Sequence, residues 1–428
     1  MPEDRKYWDE VVETMPLDKL QTLQKTRLQA QVARAYERTA LYRRKFDKAG
    51  VKPADIITLD DIRKLPLTEY LDDFCETPLL DKMAVPLDDG KAIGSTSGTL
   101  SGFSHPVFRT QKEWENLLDV GARSYWMAGV RPKDRVQVLT GIEASRRSYA
   151  HLGTAVLLDE AGRRNLDFQI KLTQVVGITI IEHLPSLVLR YFERAEELGI
   201  DIRQTELRLV IGTGEGWAET YKKKIEKKYG VAFQTYYGAY ELGCVSTECQ
   251  QRQGMHIHSD HFIVEVIDPE TLQLLDAGQE GELIITSITA DAMPLIRYHT
   301  GDIGTLLPYE SCSCGRTHPK VSLIRGRVAQ VFKVQGKKLL PIDVEAVVAS
   351  IPELGDEYQV VIDSPDEVNK LKVRVEHAPG QQGVTAIKNK TEEALYQKLG
   401  VDSEVEILAP GNLTRTLFKA QRMIHTYK

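Results

Sequence analysis

The sequence predicts an α/β protein: a large N-terminal domain built on mostly parallel sheets with a barrel-like subdomain, followed by a small, separable α+β C-terminal domain. Three observations carry this. Between about residues 130 and 240, apolar strand-like runs alternate with helical ones, the pattern of parallel strands covered by helices. After about residue 260 the rhythm changes to short strands joined by turn signals such as Asp268-Pro269 and Ala277-Gly278, as in antiparallel or barrel-like sheets. The last hundred residues resume mixed patterning and read as a separable unit. The domains expected are 1–327 and 328–428.

The elements follow in order. From 18 to 49, Leu20, Leu23, Leu28, Val32, Ala35, Leu41 and Phe46 recur at near-helical intervals until Gly50 and Pro53. Strands are expected at 136–140, 154–158, 178–182, 207–211 and 232–236, with helices at 187–195 and 217–229. The lysines 222–224, 227 and 228 read as a solvated helix face. Strands 262–268, 282–288 and 303–307 come next. The C-terminal part holds strand 331–334, helix 341–349, strands 358–362 and 371–375, helix 385–399 and strand 404–407.

Composition bounds the function. Of 428 residues, 42% are hydrophobic and 27% charged, enough for a sizeable core and too apolar for whole-chain disorder. A formal charge of −6 argues against nucleic acid as the main partner. No run of 18 apolar residues occurs and residues 1–16 lack the core of a signal peptide, so no membrane partner is expected and the cytoplasm is the expected location. Five cysteines are too few and too clustered for a disulfide scaffold.

Five segments carry chemistry. The loop from Gly94 to Gly102 is rich in glycine and hydroxyls; such a loop can cradle phosphate with backbone N–H groups, or serve as a plain linker. Tyr236-Tyr237-Gly238-Ala239-Tyr240-Glu241 ends a strand of the alternating region, where ligands of open parallel sheets bind. Tyr237 could stack on a base and Glu241 hold Mg²⁺, although an aromatic pair there also suits a core. Asp302, after a glycine turn, could accept from both hydroxyls of a ribose, and Arg327 could add a donor; surface ion pairing is the simpler alternative. Cys312 and Cys314, with Cys249 and either His256 or His258, could close a tetrahedral zinc site, or the thiols could be buried and free. Lys419 lies in the run from Leu413 to Arg422 and by composition alone is a surface lysine.

Together and in this order, the segments resemble the phenylacetate–coenzyme A ligase branch of the adenylate-forming enzymes. The likeness runs from the hydroxyl-rich loop to Lys419. It is most specific in YGAYELG and in MHIHSDHFIVEVIDPETLQLLDAGQEGELIITSITADAMPLIRYHTGD, while CSCGRTHPK is similar to members that carry zinc. The resemblance implies that Thr96, Ser97, Gly98 and Thr99 embrace ATP phosphates, and that Gly214 and Glu215 line the adenine and acid pocket. It places Tyr237, followed by Gly238, against the adenine. It gives Glu241 to Mg²⁺, Asp302 and Arg327 to the ribose, and Lys419 to the bridge between the acid carboxylate and the α-phosphate. Cys249, His256, Cys312 and Cys314 would hold zinc. The branch commonly forms dimers.

The activity so implied joins a carboxylic acid to ATP, giving acyl-AMP and pyrophosphate, and then passes the acyl group to coenzyme A. Rival outcomes are AMP transfer to a deazaflavin, as in coenzyme F390 synthetases, acyl transfer to a carrier protein, or a non-catalytic nucleotide-binding homologue. Three segments depart from the branch. Gly326-Arg327-Val328-Ala329-Gln330 replaces Gly-Arg-x-Asp-Asp, whose first aspartate is the family's hinge. SGTLSGF has an extra residue in the phosphate loop. GIEASRRSYAHLG replaces a glycine-rich stretch and should reshape the acid pocket.

Overall fold

A computed structural model describes residues 5–96, 102–157, 165–414 and 421–427. Ser97, Gly98, Thr99 and Lys419 lie outside the described residues. The chain divides into two compact units, residues 1–158 with 234–323, and residues 159–233 with 324–428.

In the first unit, the expected N-terminal helix is two helices, Leu17–Arg38 and Ala40–Ala49. The break is a cap: Thr39 leaves helical geometry and its hydroxyl accepts from the Tyr42 N–H at 3.1 Å. Leu28, Val32, Ala35, Tyr42 and Phe46 form one face of this pair and pack with Ile288 and Ile296. That face seats the helices on the antiparallel sheet Phe262–Ile267, Glu280–Ser287 and Tyr298–Thr305. A second antiparallel set joins Ala232–Ala239, Gly243–Glu248, Met255–Ile257 and Lys320–Val321. The hairpin Ala92–Ser95 with Pro106–Arg109 flanks the hydroxyl-rich loop. Arg135–Val138 pairs in parallel with Ala155–Val156.

Among the described residues, two buried two-bond ion pairs help to brace this unit, beside the Arg316–Glu13 pair. Arg123 grips Asp260 through two bonds of 3.0 and 3.1 Å, and Arg297 grips Glu265 through two of 3.0 Å while also donating to the Leu65 carbonyl. Each guanidinium fork matches a carboxylate, so neither charge is left alone in the interior.

In the second unit, Ile180–His183 runs parallel to Leu209–Gly212, with helices Pro185–Glu197 and Glu219–Tyr229 following the two strands. The C-terminal part is a four-stranded sheet, in the order Ser403–Leu408, Leu371–His377, Leu354–Ile362, Met423–His425. A small three-stranded sheet stands beside it. Helices Pro341–Val348 and Val384–Leu399 contribute Val344, Val347, Ile387 and Leu395 to a core with Val360, Val373 and Val375.

Two further expectations change. Strand 303–307 is in fact Tyr298–Thr305, because a bulge opposite Glu282–Ile284, with Gly301 at φ +70°, lets the polar run His299–Asp302 stay paired. The lysine-rich helix is not uniformly solvated: the Lys222 side chain is 1% exposed and lies 3.5 Å from Glu219, and Lys224 bonds Asp356 at 2.7 Å.

Within this unit Glu345 is a charge at odds with its surroundings. Its fully buried carboxyl accepts from the Ala218 N–H at 2.9 Å. Burial pushes its pKa up to about 7, against the pull of Arg422 and the Ala218 bond, with Glu215 and Asp356 adding repulsion. The folded pKa lies above the unfolded one, so this group's stabilisation is complete below about pH 4.5 and is lost as pH rises through 7. Relative to Glu345→Gln, the native chain should lose about 2 kcal/mol of unfolding free energy between pH 5 and pH 8. Urea melts of both proteins across that range test this; parallel pH profiles would refute it.

Candidate functional site

In the first unit, the carboxyl-end turn of Ala232–Ala239 and the strand Tyr298–Thr305 bring four of the expected residues together. Asp302 is buried, and its Oδ2 accepts from the Tyr237 hydroxyl at 2.9 Å. The Asp302 N–H donates to Thr300 Oγ1 at 3.0 Å, while that hydroxyl donates to the Leu283 carbonyl at 2.7 Å. Tyr237 thus orients the carboxylate, while Thr300 fixes the backbone that carries it. Tyr237 is a buried ring with a tethered hydroxyl rather than a free aromatic plate.

Glu241 is held in the same way. Tyr298 donates to its Oε1 at 2.7 Å. Burial, and then the neighbouring carboxylates Asp302 and Glu241 respectively, push the Tyr237 and Tyr298 phenols well above their ordinary range. Both stay protonated and act as donors. Tyr298 has no signal in the sequence beyond lying four residues before Asp302, and the sequence reading missed it.

Gly238 sits where the strand's register shifts, and a β-carbon there would fall 2.2 Å from the Gly243 carbonyl oxygen. Only glycine fits that turn. Thr96 is buried in the hairpin; its hydroxyl accepts from the His105 N–H at 3.0 Å and its own N–H donates to the His105 carbonyl at 2.9 Å.

In the second unit, Gly214 and Glu215 follow the carboxyl end of Leu209–Gly212. Gly214 has φ +79°, the left-handed region where glycine carries no penalty. Glu215 Oε2 accepts from the Ser186 N–H at 3.1 Å. Arg327 opens a short 3₁₀ turn, Val328–Gln330, and its N–H donates to Gln330 Oε1 at 3.0 Å. The turn that carries Ala329 is thus closed by the next residue's amide.

The thiols and one histidine converge. One ligand atom from each of Cys249, His256, Cys312 and Cys314 lies within 4.8 Å of the others, and all four residues are buried. The Cys249 and Cys312 sulfurs are 3.7 Å apart, and Cys314 Sγ is 3.4 Å from His256 Nε2. A tetrahedral zinc with ordinary bond lengths has ligand–ligand edges of about 3.5–3.8 Å. His256 Nδ1 faces the His318 carbonyl at 2.9 Å, which leaves Nε2 free of its proton for a metal. The Cys249 contact and the His256 bond favour thiolate at Cys314, which drops below its ordinary range while Cys249 rises. His258 turns elsewhere: its Nε2 meets Ser124 Oγ at 2.8 Å.

The AMP-binding enzyme C-terminal domain family matches residues 336–426. Phenylacetate-coenzyme A ligase of Thermus thermophilus is 32% identical over 431 positions, covering 95% of this chain and 96% of the relative. The Escherichia coli protein of that name is 31% identical, with 96% of each chain covered. Among solved structures, 2-hydroxyisobutyryl-CoA ligase in the postadenylation state, in complex with 2-HIB-AMP, is similar with a TM-score of 0.91 over 99% of this chain and 93% of that one, at 24% identity.

The family match and these relatives define an adenylate-forming enzyme of the AMP-forming ligase class. Within that class, the chain belongs to the phenylacetate–coenzyme A ligase family.

The Gly238 turn yields a direct test. Gly238→Ala should cost about 1–3 kcal/mol, because the new methyl must displace backbone rather than a flexible side chain. An unchanged urea midpoint would mean that the turn yields instead.

Proposed function

We propose that this chain is an ATP-dependent acid–thiol ligase: a carboxylic acid and ATP give acyl-AMP and pyrophosphate, and coenzyme A then takes the acyl group with release of AMP. The family membership supports the reaction class, and the observation that carries the nucleotide assignment is the buried Asp302 carboxylate oriented by the Tyr237 hydroxyl, on a backbone fixed by Thr300. A carboxylate with two acceptor oxygens suits the two hydroxyls of a ribose, and Arg327 adds a donor to the same sugar. The Tyr237 ring would flank the adenine while its hydroxyl holds Asp302. Gly214 and Glu215 would line the adenine and acid pocket.

A carboxylate resists thiol attack because oxide is a poor leaving group; adenylation replaces it with AMP. Thr96 and the hydroxyl-rich loop would take the phosphates, and Lys419 would offset charge building between the acid and the α-phosphate. Glu241, oriented by Tyr298, would hold Mg²⁺, which supplies positive charge to the phosphates when bound. The second step requires residues 328–428 to move as a body about the turn at 326–330, so that Lys419 withdraws and the thiol enters. Cys249, His256, Cys312 and Cys314 would hold a structural zinc that cross-links the turn at 312–315 to the strand Met255–Ile257. The proposed location is the cytoplasm, where such thiols stay reduced; among the described residues no helix is long and apolar enough to cross a membrane.

Acid-dependent pyrophosphate release, measured with and without coenzyme A over aryl, alicyclic and short aliphatic acids, tests the reaction. Release coupled to coenzyme A consumption is expected; release without thioester would assign another acceptor. Lys419→Ala should slow adenylation roughly 10²–10³-fold, as loss of one preorganised electrostatic donor does. Parent-rate adenylation by that variant would remove Lys419 from the chemistry.

The purified protein should carry about one zinc per chain, and Cys312→Ser should lose most of it along with thermal stability. A metal-free parent of full stability would leave the cluster as buried thiols.

A further inference from the structure

The glycine that opens the hydroxyl-rich loop serves a purpose other than phosphate approach. Gly94 lies in an extended, paired strand opposite Val107, and it is not among the residues with positive φ. Its backbone conformation suits any residue. What excludes a side chain is Tyr240: a β-carbon at position 94 would fall 1.5 Å from the Tyr240 hydroxyl oxygen, 2.4 Å from Cζ and 2.7 Å from Cε1. The ring therefore lies directly on the backbone of the strand that leads to Thr96.

A second contact joins the same two pieces. Arg109, buried on the returning strand of that hairpin, donates to the Tyr240 carbonyl, and its guanidinium stands 5.6 Å from the ring centroid. Both strands of the hairpin thus touch one residue, the immediate neighbour of Glu241. Tyr240 is also 42% exposed, which makes it an unusual choice for mere core filling, since a ring chosen for burial would be enclosed on both faces.

We propose that Tyr240 is a positioning residue that locks the Thr96 hairpin to the Glu241 turn, setting the distance between the phosphate-binding hydroxyls and the magnesium carboxylate. This rests on the nucleotide assignment made above. The strand that leads to Thr96 takes its placement from an aromatic ring on another segment, and glycine at 94 is the space that ring requires. The ring rather than the hydroxyl does the positioning, because Cζ and Cε1 already exclude a β-carbon.

The test is a double-mutant cycle on the full chain, read by calorimetric titration with MgATP and by melting temperature. Titration with nucleotide alone does not depend on which acid is the substrate. Gly94→Ala should weaken MgATP binding by about tenfold or more, because the methyl pushes the ring and the turn apart. Tyr240→Ala should weaken it by about tenfold with a melting temperature within a few degrees of the parent, whereas Tyr240→Phe should stay within about threefold. The double variant, Gly94→Ala with Tyr240→Ala, should bind no worse than Tyr240→Ala alone, since the clash has gone. Additive losses, or parent-like binding by Gly94→Ala, would overturn the proposal. If Gly94→Ala does not fold, equal binding by Tyr240→Ala and the parent overturns it just as well. A parent chain that binds no MgATP would instead defeat the proposed function.

Discussion

A carboxylate cannot sit in a protein interior without a donor of its own, and this requirement organises the first unit. Asp302 and Glu241 each receive a phenol, from Tyr237 and Tyr298. The arrangement is reciprocal, because Tyr298 belongs to the strand that carries Asp302 and Tyr237 to the strand that leads to Glu241. Each segment thereby orients the other's acid, so neither can shift without loosening both. Neutral phenols suit this work. They fix a carboxylate's direction and leave its charge available for a ligand, where a lysine or arginine would have neutralised it.

The surrounding structure holds those two segments at the right separation. Arg297, adjacent to Tyr298, has φ +47° and spends its guanidinium on Glu265 and the Leu65 carbonyl. Its charge is satisfied inside the scaffold, which excludes it from the ligand chemistry that its place in the RYHTGD run might otherwise suggest. His299, next along the strand, is opposed by burial, yet the bond and charge of Glu282, with Glu69 beyond, hold its pKa above the usual range.

Much of this was legible before any coordinates. The alternation between 130 and 240 and the change of rhythm after 260 report burial directly, and burial is what apolar periodicity measures. The Cys–His cluster was legible as a set. The choice between His256 and His258 was not, because alternation puts both on one face; the strand ends at Ile257, and His258 turns to Ser124. The start of the strand at Tyr298 was hidden for a related reason: His299, Thr300 and Asp302 look like a loop unless Glu282 and Leu283 are known to satisfy them. Lys222 looked solvated because composition records charge but not which way a helix faces. Glycines misled most. Gly94, Gly238 and Gly214 read alike in the sequence, yet one makes room for a ring, one for a carbonyl, and one has a left-handed backbone.

The altered segment at 326–330 follows from the same economy of charge. Where the family has an aspartate pair, this chain places Ala329 and Gln330, and the amide of Gln330 accepts from the Arg327 N–H to close the turn. A carboxylate could accept that bond equally well, but it would also add a negative charge beside Arg327, the residue assigned to the ribose. With an amide, the turn is held by a neutral acceptor that neither titrates nor responds to salt, and Arg327 meets no competing acid in the turn's own residues. The segment keeps the local geometry of a linker and gives up its charge.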